Sequence, residues 1–221
     1  MEFLVSMTIA SILMLVLLSM NLLSAGTYTE ARDNWYCMQS LRNALLTLDT
    51  DLRQCACLMP QDLNIARQKD HLFIAGVPVT STHSALKIPQ KHPPPLYSVV
   101  LSSYDNTLVV DTVDIDSDSV PDYWADLGII TDSGPCVISH TYSRGNTAVR
   151  ITSEVACAPG DRIVPAIHYE LRSDGLYRNS QLIAEAVSAF DMSMAEDILT
   201  LNIQAGHNRV VRQISYPFVL K

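Results

Sequence analysis

The chain opens with a long apolar run headed by an acid. No charged residue occurs from Phe3 to Ala25, and Glu2 immediately precedes this stretch. A helix of this length spans about 34 Å, which is enough to cross the hydrocarbon core of a bilayer. A secretory signal peptide has a basic n-region, which this run lacks. A simple membrane anchor would explain the length of the run but would not need Glu2.

The hydrophobic pattern changes after Gly26 without a loop signal. Apolar residues now recur three or four positions apart, and charged residues take the positions between them. This spacing is typical of one face of an amphipathic helix, and Pro60 is a natural stop. The sequence predicts one near-continuous helix from Glu2 to about Leu58. The stripe that we expect to be buried against a globular domain is Trp35, Met38, Leu41, Leu45, Leu48 and Leu52.

Beyond Pro60 the pattern is that of short β-strands. Runs such as YSVVLSS, TLVVDTVDI, GLYRNSQLIA, DILTLNIQAG and VVRQISYPFV are separated by turn signals such as Asp174-Gly175. The segment Ile183–Met194 is compatible with a short helix instead. The sequence therefore predicts an α+β protein, with a helical spine packed against an antiparallel sheet. The expected divisions are 1–26 (apolar helix), 27–59 (amphipathic helix) and 60–221 (β-rich domain).

Three segments resemble one known family. EFLVSMTIASILMLVLL is similar to the N-terminus of type IV pilins and of the pseudopilins of type II secretion. DTDLRQC and GLYRNSQLIAEAVSAFDM resemble segments of the large minor subunits, the W-type minor pilins and J-type pseudopilins. The resemblance implies a filament subunit that contacts other pilin subunits through its N-terminal helix. It also implies residence in the inner membrane before assembly, and then in an extracellular filament or a periplasmic pseudopilus.

The resemblance gives Glu2 an assembly role. In the family an acid near the N-terminus lies in the apolar core of the filament, where it pairs with the N-terminal amine of a neighbouring subunit. A buried lone carboxylate is costly, whereas one paired with an ammonium is tolerated and sets the register. The family has several residues before this acid, whereas only Met1 precedes Glu2 here. Which amine Glu2 would meet therefore stays open.

The stretch VDIDSDSVPDYWADLG predicts a calcium loop. Alternate acids in a tight loop direct their oxygens at one centre, as a hard cation requires. The stretch resembles the Asp-rich repeats of thrombospondin type 3, with Ser119 in place of the usual Gly and Ala125 in place of the usual bidentate acid. The alternative is a solvated acidic turn, but close carboxylates repel one another without a cation. The expected ligands are Asp114, Asp116, Asp118, the Val120 carbonyl and Asp122, with Asp126 or a water molecule completing the shell.

The five cysteines predict one disulfide. Cys136 and Cys157 flank a hairpin-sized segment in a domain that would face an oxidising exterior, so we expect them to pair. Cys37 and Cys55 are about 27 Å apart on a straight helix and cannot pair with each other. For Cys37, Cys55 and Cys57, buried free thiols are an equal alternative.

Composition argues against other classes of protein. The net charge is −8 and there is no basic patch, which disfavours nucleic acid and anionic membrane surfaces as partners. The six histidines have no metal-ligand spacing, and neither a G-x-S-x-G motif nor a phosphate-binding glycine loop occurs. We therefore expect no enzymatic activity.

Two function classes remain. The first is a structural filament subunit, whose size favours a minor or tip subunit. The second is a membrane-anchored extracellular module for calcium-dependent binding or adhesion. The acid at the head of the run, and the continuity of the helix into the domain, favour the first class because a simple anchor needs neither. The sequence does not distinguish a retractile pilus, a secretion pseudopilus and a DNA-uptake fibre.

Overall fold

The computed structural model describes residues 2–55, 61–68, 71–76, 97–104, 107–110, 128–138, 148–150, 157–195 and 198–219. These residues form one long helix, a short 3₁₀ helix and antiparallel strands, which confirms the predicted α+β fold. The elements are α1 (Glu2–Cys55), the 3₁₀ helix (Gln61–Leu63), β1 (Ile65–Gln68), β2 (His71–Ala75), β3 (Ser98–Tyr104), β4 (Thr107–Val110), β5 (Gly128–Thr131), β6 (Gly134–Val137), β7 (Ala148–Arg150), β8 (Arg162–Arg172), β9 (Gly175–Arg178), β10 (Gln181–Glu185), β11 (Val187–Ala195), β12 (Ile198–His207) and β13 (Val210–Val219).

Helix α1 is continuous over 54 residues and passes through Gly26 without a break. The prediction of one helix with an apolar first half and an amphipathic second half is therefore confirmed from Glu2 to Cys55. The predicted end near Leu58, and Pro60 as its stop, lie outside the described residues.

Strand β8 organises the larger sheet. One of its edges pairs with β2 and β3, and the other pairs with β5 and β9. The path of this sheet is β1-β2-β8-β3-β4-β7, with β5 and β6 on one branch and β9 and β10 on another. The burial of β8 over most of its length, at Ile163, Val164 and the segment 166–169, reflects this central position.

A second sheet consists of β11, β12 and β13 in that order. The alternative of a short helix at Ile183–Met194 is wrong, because this segment lies in β10 and β11. GLYRNSQLIA is two strands joined by a tight turn at Asn179 and Ser180, both with positive φ. The alternating burial of β12 places Leu199, Leu201, Ile203 and Ala205 in the core beneath α1.

The face of α1 that packs on the sheets differs from the predicted stripe. Leu41, Leu48 and Leu52 are buried as expected, and Leu45 is half-buried against the same core. The prediction that Trp35 and Met38 are buried is wrong, because their exposed fractions are 65% and 51%. The buried face instead follows a neighbouring line of residues with the same helical spacing. It consists of Asp33, Cys37, Ser40, Leu41, Ala44, Leu48, Asp51 and Leu52.

A smaller core cluster lies apart from the helix. It joins β3, β4, β5 and β6 to the start of β8 through apolar side chains that are almost completely buried. Its members are Val100, Leu108, Val110, Ile129, Cys136, Ile138, Cys157 and Ile163.

We predict that Leu48→Asp in the full chain destabilises the domain by at least about 3 kcal/mol, since it removes a core side chain and buries an unpaired charge. The matched control Trp35→Asp lies on the same helix and should change stability by less than about 1 kcal/mol, because Trp35 is exposed. Denaturant unfolding in detergent micelles would measure both. Equal destabilisation by the two variants would contradict the observed orientation of α1.

Candidate functional site

The first half of α1 is the main candidate functional surface. The large apolar side chains that the structure describes between Phe3 and Leu23 are exposed to between 48% and 74%. One window of 18 residues in α1 has a mean hydropathy of 2.1, and none of it is buried in the structure. A fully apolar surface of this length needs lipid or other helices around it. The helix is compatible with membrane anchoring by its length and composition.

Glu2 is the first residue of α1, so its backbone is helical. Its side chain lies outside what the structure describes. The assembly role of Glu2 and the identity of its cationic partner therefore stay predictions.

A buried ionic cluster fixes α1 to the larger sheet near the end of the helix. The Asp51 carboxylate accepts two hydrogen bonds from the Arg178 guanidinium, at 2.7 and 3.0 Å. It also accepts one from the hydroxyl of Tyr169 on β8. Asp51 and Tyr169 are buried, and the pKa of Tyr169 is raised by burial and by the nearby carboxylate. Since a buried carboxylate is stable only with such partners, this cluster permits little rotation of α1.

A second contact fixes α1 to the hairpin between β12 and β13. Asn208 adopts a φ of 53° in the hairpin turn and donates a 2.8 Å hydrogen bond from its side-chain amide to Asp33. This bond lowers the pKa of the Asp33 carboxyl. Arg212 on β13 donates a 2.7 Å bond to the Asn34 side chain one position along the helix. Asparagine tolerates the left-handed conformation better than most residues, so Asn208 suits both the turn and the contact.

Two further contacts lie at the C-terminal part of α1. The Asp49 carboxylate accepts a 2.8 Å hydrogen bond from Arg53 and a 3.1 Å bond from the hydroxyl of Tyr216 on β13. The bond from Arg53 is the main cause of the lowered pKa of Asp49. The amphipathic half of α1 is thus bound to both sheets along its length, and its orientation sets the direction in which the apolar half extends.

The predicted calcium ligands Asp114, Asp116, Asp118, Val120, Asp122 and Asp126 lie outside the described residues. The calcium loop therefore stays a prediction. Among the residues that the structure does describe, no group of three or more His, Cys, Asp or Glu side chains is placed to hold a metal ion.

Cys136 and Cys157 are neighbours in the smaller core cluster. Both are buried thiols, and the predicted disulfide is not formed in this structure. A hydrogen bond between the two sulfur atoms, helped by the Thr131 hydroxyl at 3.6 Å, lowers the pKa of Cys157 to about 7. The fold brings together the two cysteines that the sequence paired, and a disulfide between them stays a prediction.

The structure also brings into contact two histidines that their spacing in the sequence did not relate to each other. His71 Nδ1 lies 2.8 Å from His168 Nε2 on the adjacent strand, and the His168 ring stacks on Phe73. Burial, and then the proximity of His71, lower the pKa of His168 to about 4. His71 and His168 are 97 positions apart, so only the antiparallel pairing of β2 with β8 could reveal this pair.

Comparisons of the chain with protein-family models, with curated proteins and with solved structures give no match. Functional inference therefore depends on the residues and their geometry.

We predict that Asp51→Ala destabilises the chain by about 3–5 kcal/mol, because it leaves the Arg178 guanidinium without its carboxylate partner at the interface of helix and sheet. The control is Asp191→Ala, which removes an ion pair between Arg67 and a largely exposed carboxylate on β11. This second change should have little effect on stability, because exposed ion pairs contribute little. Chemical denaturation of both variants tests the difference, and a cost for Asp51→Ala no larger than the control's would contradict an anchoring role.

Proposed function

We propose that this chain is a structural subunit of a type IV pilus-like or pseudopilus-like filament, assembled through the apolar half of α1. In this proposal the helix lies in the inner membrane before assembly and enters the filament afterwards. The β-rich domain faces the exterior of the cell or the periplasm. The protein supplies shape and contacts, and no catalytic step.

The observation that carries the proposal is the unequal environment of the two halves of α1. The first half is apolar and exposed on all sides, whereas the second half is bound to two sheets by core packing and buried polar contacts. A flexible tether would suffice to hold a domain near a membrane. An uninterrupted helix that packs firmly against the domain holds the domain in a fixed orientation relative to the apolar half. A regular polymer requires such a fixed orientation of its subunits.

The alternative of a calcium-dependent binding module on a membrane anchor differs in one testable respect. Such a module would need the apolar run only for insertion, so Glu2 would have no function in it. The role of Glu2 therefore separates the two proposals.

We predict that Glu2→Ala leaves the chain folded and inserted in the membrane but lowers its recovery in sheared filaments at least about tenfold. The physical reason is that the carboxylate finds its cationic partner only in the assembled filament, and a tenfold loss corresponds to about 1.4 kcal/mol. Glu30→Ala is the control, since Glu30 is an exposed acid of the same helix beyond the apolar run. Quantitative immunoblots of filament and membrane fractions provide the measurement. Equal recovery of wild type and Glu2→Ala would favour the anchored module.

We also predict that calcium raises the melting temperature of the full chain, because an ion that binds only the folded state stabilises it by mass action. Magnesium should raise the melting temperature less, because it is a smaller ion that requires octahedral coordination. Asp116→Ala should abolish the calcium effect, whereas Asp191→Ala should retain it. Differential scanning calorimetry with and without calcium tests this, and identical curves for the wild-type chain would leave the acidic stretch as a solvated turn.

A further inference from the structure

Two turns of the β-rich domain lie beside α1 at the end of the domain nearest to the apolar half of the helix. The turn between β12 and β13 contacts the helix through Asn208, which donates to Asp33. The turn between β10 and β11 adjoins it, because the Gly206 amide donates a 2.8 Å hydrogen bond to the Ala186 carbonyl. We call this end of the domain the basal rim, and it consists of residues 30–37 of α1, 185–187 and 207–212.

The basal rim lies close to the surface of any bilayer that the apolar half of α1 spans. Asp33 lies about 12 Å further along the helix than Ala25, the last residue of the apolar run. The headgroup layer extends roughly 5–7 Å beyond the hydrocarbon core on each side. Tyr28 is exposed to 70% and lies within this layer, where tyrosine is enriched. Arginine side chains can reach over the remaining distance of about 5 Å, since they extend toward the interface.

The arginines of the basal rim differ from most other arginines in the chain. Among the arginines whose side chains the structure describes, six form ion pairs with carboxylates, namely Arg32, Arg53, Arg67, Arg162, Arg172 and Arg178. Within the described part of the chain, Arg42, Arg209 and Arg212 have no carboxylate at ion-pair distance, and all three are exposed. Two of these three belong to the basal rim.

Most of the acids of the basal rim are already bonded. Asp33 accepts a 2.8 Å hydrogen bond from Asn208, and Glu185 accepts one from the Tyr36 hydroxyl. Glu30 is exposed and has no such bond to the residues that the structure describes. The formal charges of the rim balance, although the chain has a net charge of −8. The groups left available for a partner are therefore mainly cationic.

Arg212 is held with its charged end directed toward the apolar half of α1. The Val210 carbonyl lies 3.8 Å from the Cys37 sulfur. Arg212 is two residues further from the turn, yet its guanidinium donates a 2.7 Å hydrogen bond to Asn34, which is three residues nearer to the apolar half than Cys37. Because the Asn34 side chain is neutral, it positions the guanidinium without neutralising its charge. Other N–H groups of the guanidinium stay available for an anion.

We propose that Arg209 and Arg212 bind phosphate groups of membrane phospholipids and hold the domain against the membrane surface before assembly. This inference rests on the proposed function, in which the apolar half of α1 lies in the inner membrane. Guanidinium groups form paired hydrogen bonds with phosphate oxygens. Anionic headgroups such as phosphatidylglycerol add a net attraction for each arginine near the surface.

The height of the two arginines favours lipid over an acidic segment of another protein. Arg209 follows Asn208 at the tip of the hairpin, and the Arg212 guanidinium lies at the height of Asn34. Both charges therefore lie beside the surface in which α1 would be embedded. Arg42 also lacks a carboxylate partner but lies about 25 Å beyond the end of the apolar run, which is well outside the headgroup layer. Arg42 is thus a matched control.

The contact would also set the tilt of the subunit in the membrane. The hairpin lies on one side of α1, and the bond between Asn208 and Asp33 fixes it to the helix. Attraction of the hairpin to the headgroups therefore draws that side of the domain toward the membrane. Transfer of the apolar half into a filament breaks the contact, so it acts only before assembly.

Lipid binding by the full chain tests the contact. The chain is held in detergent micelles and titrated with phosphatidylglycerol or phosphatidylcholine, and bound lipid is counted by native mass spectrometry. We expect Arg209→Gln and Arg212→Gln each to weaken the apparent affinity for phosphatidylglycerol about fivefold, as expected for one arginine near an anionic surface. Arg42→Gln should leave this affinity unchanged. Arg212→Lys keeps the charge and should retain most of the affinity, which guards against a loss caused by misfolding.

Hydrogen exchange of the full chain in nanodiscs tests where the lipid binds. In the wild-type chain, peptides covering 207–212 should exchange several-fold more slowly in phosphatidylglycerol nanodiscs than in phosphatidylcholine nanodiscs. The double variant Arg209→Gln, Arg212→Gln should lose this difference. The exposed segment 158–160 is the internal reference and should exchange equally in both lipids. The inference is wrong if the double variant keeps the wild-type affinity and protection, or if Arg42→Gln weakens binding as much as Arg209→Gln.

The outcomes separate this inference from the proposed function. If the wild-type chain enters filaments and Glu2→Ala does not, but the double arginine variant binds phosphatidylglycerol like the wild type, the inference is wrong and the proposed function stands. If the wild-type chain is absent from filaments but its lipid affinity depends on both arginines, the proposed function is wrong and the lipid contact is that of a membrane-anchored module.

Discussion

The burial of one face of α1 against two separate sheets is the interaction on which the structure depends. Leu41, Leu48 and Leu52 enter the same core as the apolar faces of β2, β8 and β12. Neither sheet covers this part of the helix alone, because α1 contacts β12 and β13 of the three-stranded sheet as well as β2 and β10 of the larger sheet. If the helix were removed, much of the apolar face of the three-stranded sheet would be exposed to water, which is unfavourable.

Polar contacts give this packing a defined rotation. Apolar packing alone would tolerate a small turn of the helix, since leucine side chains adapt to alternative neighbours. The Asp51 carboxylate does not tolerate such a turn, because it needs both the Tyr169 hydroxyl and the Arg178 guanidinium at hydrogen-bond distance. Asp33 and Asn208 add a second fixed point about five helical turns away. These two contacts decide which line of residues on α1 faces outward.

The fixed rotation links the fold to the proposed assembly. In a regular filament every copy must hold its domain in the same orientation, which requires a fixed rotation of the domain about α1. The apolar half needs no such precision while it is in lipid, which is uniform around the helix. The buried contacts of α1 therefore matter more for a regular polymer than for a membrane anchor.

Hydrophobic periodicity by itself determined the helix, its change of character near Gly26 and the presence of an antiparallel β-domain. These features follow from local spacing, which differs between a helix and a strand. Strands β1 and β5 were not identified, because each has only four residues, which is too few to show a clear alternation. Strand β11 was not identified, because its segment was also compatible with a short helix. The calcium loop and the environment of Glu2 stay predictions from the sequence pattern.

Only the tertiary structure decided which face of α1 is buried. Two lines of apolar residues on the second half of the helix satisfy the same spacing of three and four. The sequence-based stripe combined Trp35 and Met38 from one line with Leu48 and Leu52 from the other. Periodicity cannot choose between such lines, because the choice depends on distant partners such as Tyr169 on β8 and Asn208 in the last hairpin turn. The same physical reason explains the contact between His71 and His168, which the pairing of distant strands creates.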